Sequence, residues 1–263
     1  MSPFRTLPLV VLLCLATAIP ARAEAASPVS RAHEALHDAV GKFKAAPVLK
    51  ARAAYVALSA AEPKVAAFHY WVAYADWRAV PLMADSERTR AERYAKDGLD
   101  HCDQALALAP ENAEALALKG SLQGIAIRFD PKSMMTLGVQ GMMNLRRAIA
   151  LDPANPRVRL LNAISILNKP AEFGGGAAAA DSVFHKAITL FEKAAAPADS
   201  TAPDWGGDDA LLWAGRCASQ LGDWTRARDL FREALRVNSA NVWVKYVLLP
   251  EAEKALAAKA SAP

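Results

Sequence analysis

The chain has 263 residues, 53% of them hydrophobic, enough to bury the core of one elongated unit or two compact ones. Its 31 Lys and Arg against 27 Asp and Glu give a net charge of +4 without a basic block, which excludes a nucleic-acid footprint and a polybasic membrane patch. No stretch reaches the ~18 uninterrupted apolar residues of a span, so no stable membrane insertion is expected. Three cysteines make no disulfide framework.

Residues 1–23 read as a secretory signal. Arg5 precedes an apolar run from Leu7 to Ile19, and Ala21-Arg22-Ala23 forms an A-x-A cleavage site. A rival lipid-attachment reading at Cys14 meets the bulky Leu13 where a small residue belongs. Cleavage after Ala23 leaves 29 Lys and Arg against 27 Asp and Glu in a periplasmic or secreted protein. Of the cysteines it keeps Cys102 and Cys217, far apart in the chain and expected to stay unpaired.

Residues 24–65 are expected to form an N-terminal helical cap, two helices broken near Ala46-Pro47. The first contains His33-Glu34-Ala35-Leu36-His37, the H-E-x-x-H form of a zinc-peptidase helix. No third ligand accompanies it, no strands precede it to hold a peptide, and Asp38 replaces the usual uncharged residue. His33, Glu34 and His37 are therefore rejected as a metal site, and a zinc peptidase stays a remote alternative.

From residue 66 to 241 apolar residues recur every three or four positions, and four helix pairs share one skeleton. Ala73, Gly120, Ala163 and Gly215 are the small close-approach residues of the first helices. In the second helices, Gly98/Ala105, Gly141/Ala148, Ala180/Ala187 and Ala227/Ala234 stand seven apart around Cys102, Leu145, Phe184 and Phe231. The units run 66–112, 113–155, 156–194 and 208–241, with 196–207 read as a loop. From the first small residue to the last alanine the spacings are 32, 28, 24 and 19, a shortening by whole helical turns plus smaller intra-pair turns. Residues 242–263 form a C-terminal capping helix and tail, kinked at Pro250.

The stretch 208–241 resembles the tetratricopeptide repeat, with matching small and aromatic positions across a 34-residue unit and departures at Leu211, Ala218 and Ser239. The resemblance implies an all-α, right-handed α-solenoid whose first helices line an inner groove. Tyr70, Tyr74 and Trp77 then form one stripe with Arg78 beside it, either an anchor site on the groove or core packed under the N-terminal cap, and Ser121, Arg157, Arg216 and Gln220 fall on corresponding faces of later first helices. An aromatic end and a cationic remainder suit a protein or peptide partner, an acidic segment above all.

Catalytic constellations are absent from the pattern. The Phe173-Gly174-Gly175-Gly176 stretch lacks the Lys-Ser/Thr of a phosphate loop, no G-x-S-x-G occurs, and Cys102 sits on an apolar face. The expected function is a non-enzymatic, exported interaction scaffold without cofactor. The alternative is a periplasmic small-molecule-binding component of a solute uptake system, which an enclosed pocket near Trp77, Phe129 and Phe173 would favour. N-terminal sequencing of periplasmic material should begin at Glu24; retention of Met1, or lipid on Cys14, would refute export with cleavage.

Overall fold

A computed structural model describes residues 27–195, 197, 199 and 201–260, so the signal segment lies outside the described residues. Among these the chain is all helical. The helices are α1 Pro28–Gly41, α2 Ala45–Ala61, α3 Ala66–Ala79, α4 Arg88–Leu108, α5 Ala113–Ala126 and α6 Met134–Leu151. They continue with α7 Pro156–Asn168, α8 Ala177–Lys193, α9 Gly207–Gln220, α10 Trp224–Val237 and α11 Leu249–Ala260. None of the helices is long and apolar enough to cross a membrane.

Local chemistry sets the starts. The side chains of Ser27, Asn112, Asn155 and Asp223 accept backbone N–H groups in the first turns of α1, α5, α7 and α10, satisfying donors that have no intrahelical partner. Pro28 and Pro156 sit in first turns, where the missing N–H is not needed. The same rule moves the first break: it falls after Gly41, and Pro47 lies inside the first turn of α2 rather than between the helices. Near the other end, a π-helical turn at Val244–Leu248 precedes Pro250, which α11 carries in its own first turn.

Each odd-numbered helix packs on the helix that follows it, and α3, α5, α7 and α9 also pack on one another as an inner layer. The repeated small residues sit at these contacts. Ala73, Ala163, Ala105, Ala148, Ala180, Ala187, Ala227 and Ala234 are fully buried. A Cβ added at Gly120 would lie 2.7 Å from the Gly141 carbonyl oxygen, and one at Gly215 would enter the Phe231 ring. The inner helices α3, α5, α7 and α9 hold 14, 14, 13 and 14 residues, whereas α4, α6, α8 and α10 shorten from 21 through 18 and 17 to 14. The rest of the extra length forms short 3-10 turns at Val80–Leu82, Asp85–Glu87, Pro131–Ser133 and Ala171–Phe173.

The first pair does more than cover an end. Arg52 of α2 meets the fully buried Asp76 of α3, Nε to Oδ1 at 2.6 Å. Between α1 and α2, Phe43 adopts φ +50°, a left-handed conformation that costs a residue with a Cβ about 1–2 kcal/mol. Its ring stacks on Trp243 at 4.2 Å, so the start of the array touches the segment that follows α10. Cys102 and Cys217 are both buried free thiols, with the Cys217 thiol pushed up to about 11 by burial and by Asp181.

Ala227→Leu should destabilise the protein by roughly 1–3 kcal/mol, because extra methylenes have no room at a helix contact. Arg226 is not the outward-facing control that its position in the repeat implies, since its guanidinium reaches both carboxylate oxygens of Asp181 at 2.9 and 3.1 Å. Thr225→Leu, at an exposed site, supplies the comparison and should change denaturant midpoints by no more than about 0.5 kcal/mol. Equal shifts for the two variants would contradict this packing.

Candidate functional site

The inner face of the array is occupied by the chain's own segment 201–209. Trp205 inserts against the α3 stripe, its ring 4.8 Å from Tyr74 and 5.6 Å from Trp77 between centroids. Its indole N–H donates to the Tyr70 hydroxyl at 3.0 Å, and that hydroxyl donates to Glu114 at 3.2 Å. Trp71 donates to the Thr201 carbonyl at 2.8 Å, pinning the start of the segment. Gly206, at φ +110°, turns the chain beside the Phe191 ring into α9.

Ion pairs complete the closure. Arg78 grips both oxygens of Asp209 at 2.9 and 2.8 Å, joining the end of α3 to the start of α9. Arg157 Nε donates to Glu114 at 2.8 Å, and Asn155 donates to the same oxygen at 2.9 Å. Burial pushes the Asp209 carboxyl up and Arg78 offsets part of that, while burial above all keeps Tyr70 and Tyr74 neutral.

Tyr70, Tyr74, Trp77, Arg78, Ser121 and Arg157 are thus brought together, as expected of one inner face, but around an internal segment rather than an open groove. The accessible aromatic end is corrected by Trp205: Tyr70, Tyr74 and Trp77 are 2%, 3% and 6% exposed. Ser121 accepts the Trp77 indole N–H at 2.8 Å. Arg216 lies elsewhere, its guanidinium 4.5 Å from the Trp213 ring and 4.9 Å from Trp243. Gln220 is exposed at the end of α9. Reading 196–207 as a plain loop missed Trp205; its signal was a lone tryptophan in a Pro/Gly-rich linker, flanked by Asp204 and Gly206.

His33 is used structurally. Its Nε2 lies 2.8 Å from Asp204 and its Nδ1 3.1 Å from the Tyr55 hydroxyl, with the ring edge-on to Trp71. Glu34 and His37 are exposed on α1. Phe129 is half-buried and Phe173 exposed, so neither helps to enclose a pocket with the buried Trp77.

Other parts of the described surface are open. A cavity of about 260 Å³ lies where α1 meets the start of α9 and the turn after α10, and a shallower one of about 600 Å³ lies between the starts of α3 and α5 and residues 201–203. An apolar stripe runs along the outward side of α6: Met135, Val139, Met142 and Met143, at i, i+4, i+7 and i+8. Met135 is 72% exposed and Met143 61%.

Trp205→Ala should destabilise the fold by about 3–5 kcal/mol, the range for a truncated core aromatic, and Trp77→Ala should do likewise. Chemical denaturation of each variant tests this. A nearly unchanged melt for Trp205→Ala would mean that the segment lies loosely on the inner face.

No protein-family model matches the chain, and no curated protein sequence matches it. Among solved structures, the chain is similar to the HusA haemophore from Porphyromonas gingivalis, with a TM-score of 0.60 and 23% identity over 73% of this chain and 91% of that one. Two structures of MamA align with TM-scores of 0.38 and 0.37, at 17% and 16% identity, over 73% and 84% of this chain and 88% and 96% of theirs. The likeness to HusA is one of fold alone.

Proposed function

We propose that the protein is an exported, non-enzymatic helical-repeat scaffold that recognises another protein through the outward face of α6. The observation that carries this reading is the exposed Met135/Val139/Met142/Met143 stripe. With the inner face filled by residues 201–209, that stripe is an exposed apolar helix face open to a partner. Methionine suits such a surface, because its unbranched, polarisable side chain adapts to different apolar shapes. α6 has no acidic residue between Met134 and Leu151, and Arg146 and Arg147 follow the stripe. The charge favours an amphipathic partner segment bearing Asp or Glu beside its apolar anchors.

Met135→Gln with Met143→Gln should change stability by no more than about 0.5 kcal/mol, as expected for exposed sites. The same pair should weaken capture of envelope partners by the protein, and Arg146→Gln with Arg147→Gln should remove the salt sensitivity of that capture. Undiminished capture by the Met pair would overturn this surface as the recognition site.

A second reading is haem carriage, favoured by one observation: the stripe combines exposed apolar area with accessible thioethers, a ligand type that haem iron accepts. The similar HusA protein is a haemophore. Haemin titration followed at the Soret band separates the readings. Met135→Leu, Met142→Leu and Met143→Leu together keep the apolar area and remove the three thioethers of the stripe, so the triple variant should abolish haem ligation while leaving protein capture intact.

A further inference from the structure

The two ends of the array meet around the 260 Å³ cavity described above. We propose that this cavity binds a small organic ammonium ion, a function independent of the α6 surface. One wall is aromatic, formed by Trp71, Tyr74 and Trp205. Aromatic faces attract cations through their quadrupole, and this wall already accepts one: the Arg78 guanidinium lies 5.9 Å from the Tyr74 ring centroid.

The opposite contribution is negative. Asp204, Asp208 and Asp209 all line the cavity, with His33 and His37 on the α1 side; Arg78 pairs with Asp209 and His33 with Asp204, which leaves Asp208 as the lining carboxylate with no ion pair among the described residues. Asn238 and Asn241 both direct their amides at Oδ2 of Asp208, at 2.8 and 3.4 Å, and no described residue donates to its Oδ1. Asp208 stands in the first turn of α9, beside the helix's unpaired backbone N–H groups. For Asp204 burial is the largest influence and works against ionisation, but the His33 hydrogen bond, the electrostatic contributions of His33 and His37 and a backbone N–H together outweigh it, so the carboxyl is held below its ordinary range. The α1 side contributes Leu36 and Val40, an apolar floor suited to alkyl carbons.

Other ligand classes fit less well. A hard metal ion such as Ca²⁺ takes six to eight oxygen ligands, whereas no group of three or more Asp, Glu, His or Cys among the described residues is arranged around a metal. An anion would find Arg78 already gripped by Asp209. The volume lies below the roughly 300–1,000 Å³ of drug-sized pockets, which limits the ligand to a few heavy atoms. Alkylammonium head groups meet all of these constraints, and either a free amine or the lysine side chain of a polypeptide supplies one.

The test uses the intrinsic fluorescence of the protein, since Trp71 and Trp205 line the cavity, with calorimetry as the second readout. Butylammonium should bind saturably with a Kd of about 1 mM or tighter, and sodium at equal ionic strength should not. Acetyl-lysine-methylamide forms the second arm: tighter binding there identifies a lysine side chain as the source, weaker binding a free amine. Asp208→Asn should weaken binding about tenfold without a matching loss in melting temperature. Asp204→Asn, at an exposed residue, should weaken binding in the same direction and serves if the first variant fails to fold. Absence of saturation by both amines, an equal response to sodium, or unchanged affinity in both variants would overturn the proposal.

Discussion

The insertion of Trp205 into the inner face governs what the rest of the molecule is free to do. α3 carries Tyr70, Tyr74 and Trp77 on one side, and large aromatics bury roughly 150–250 Å² each. Left uncovered, three of them would exceed the few hundred Å² of contiguous apolar surface that a soluble monomer ordinarily exposes. The chain covers them itself, and the polar atoms are matched in series. The Trp205 indole donates to Tyr70, Tyr70 to Glu114, and Glu114 accepts from Asn155 and Arg157. Glu114 is the shared acceptor, so removing it takes a partner from Tyr70, Asn155 and Arg157 at once.

Closure of the ends follows from the same segment. In an open repeat array each unit touches only its neighbours, and stability is close to a sum of local terms. Here Arg78 binds Asp209, His33 binds Asp204 and Phe43 stacks on Trp243, contacts that span nearly the whole array. The left-handed backbone at Phe43 fits that arrangement: its strain is local, and its ring is delivered to a partner at the far end. Unfolding of one end therefore removes support from the other, and the seam between them leaves the small cavity.

The helix pairs were legible because each is specified within about 40 residues by small and large side chains at fixed spacing. Gly215 and Phe231, or Gly120 and Leu145, meet as their positions in the repeat imply. The inner-face residues were legible as a set for the same reason. Trp205 was not, because its hydrogen bond to Tyr70 joins residues 135 apart in sequence, and no local periodicity encodes such a pairing. Arg226 shows the same limit on a smaller scale. Its helix position implies solvent, and its bond to Asp181 on α8 depends on how neighbouring pairs stack.

The lengthened second helices show where surplus sequence has been used differently. The extra turns at the start of α4 are packed: Ala91 and Ala95 are buried with Val80 and Met83, against Leu49 of the first pair. α6 is also longer than α10, yet its buried residues, Gly141, Leu145 and Ala148, all lie beyond its first turns. Met135 and Val139 belong to those first turns and remain in solvent. Length that stabilises one helix pair thus leaves an apolar overhang on the next, although the two occupy equivalent places in the array. Repeat packing explains the covered overhang on α4. It does not explain why α6 should carry methionine and valine where Gln or Lys would keep the helix and avoid the exposed surface, and the recognition role proposed for the α6 stripe answers that residual demand.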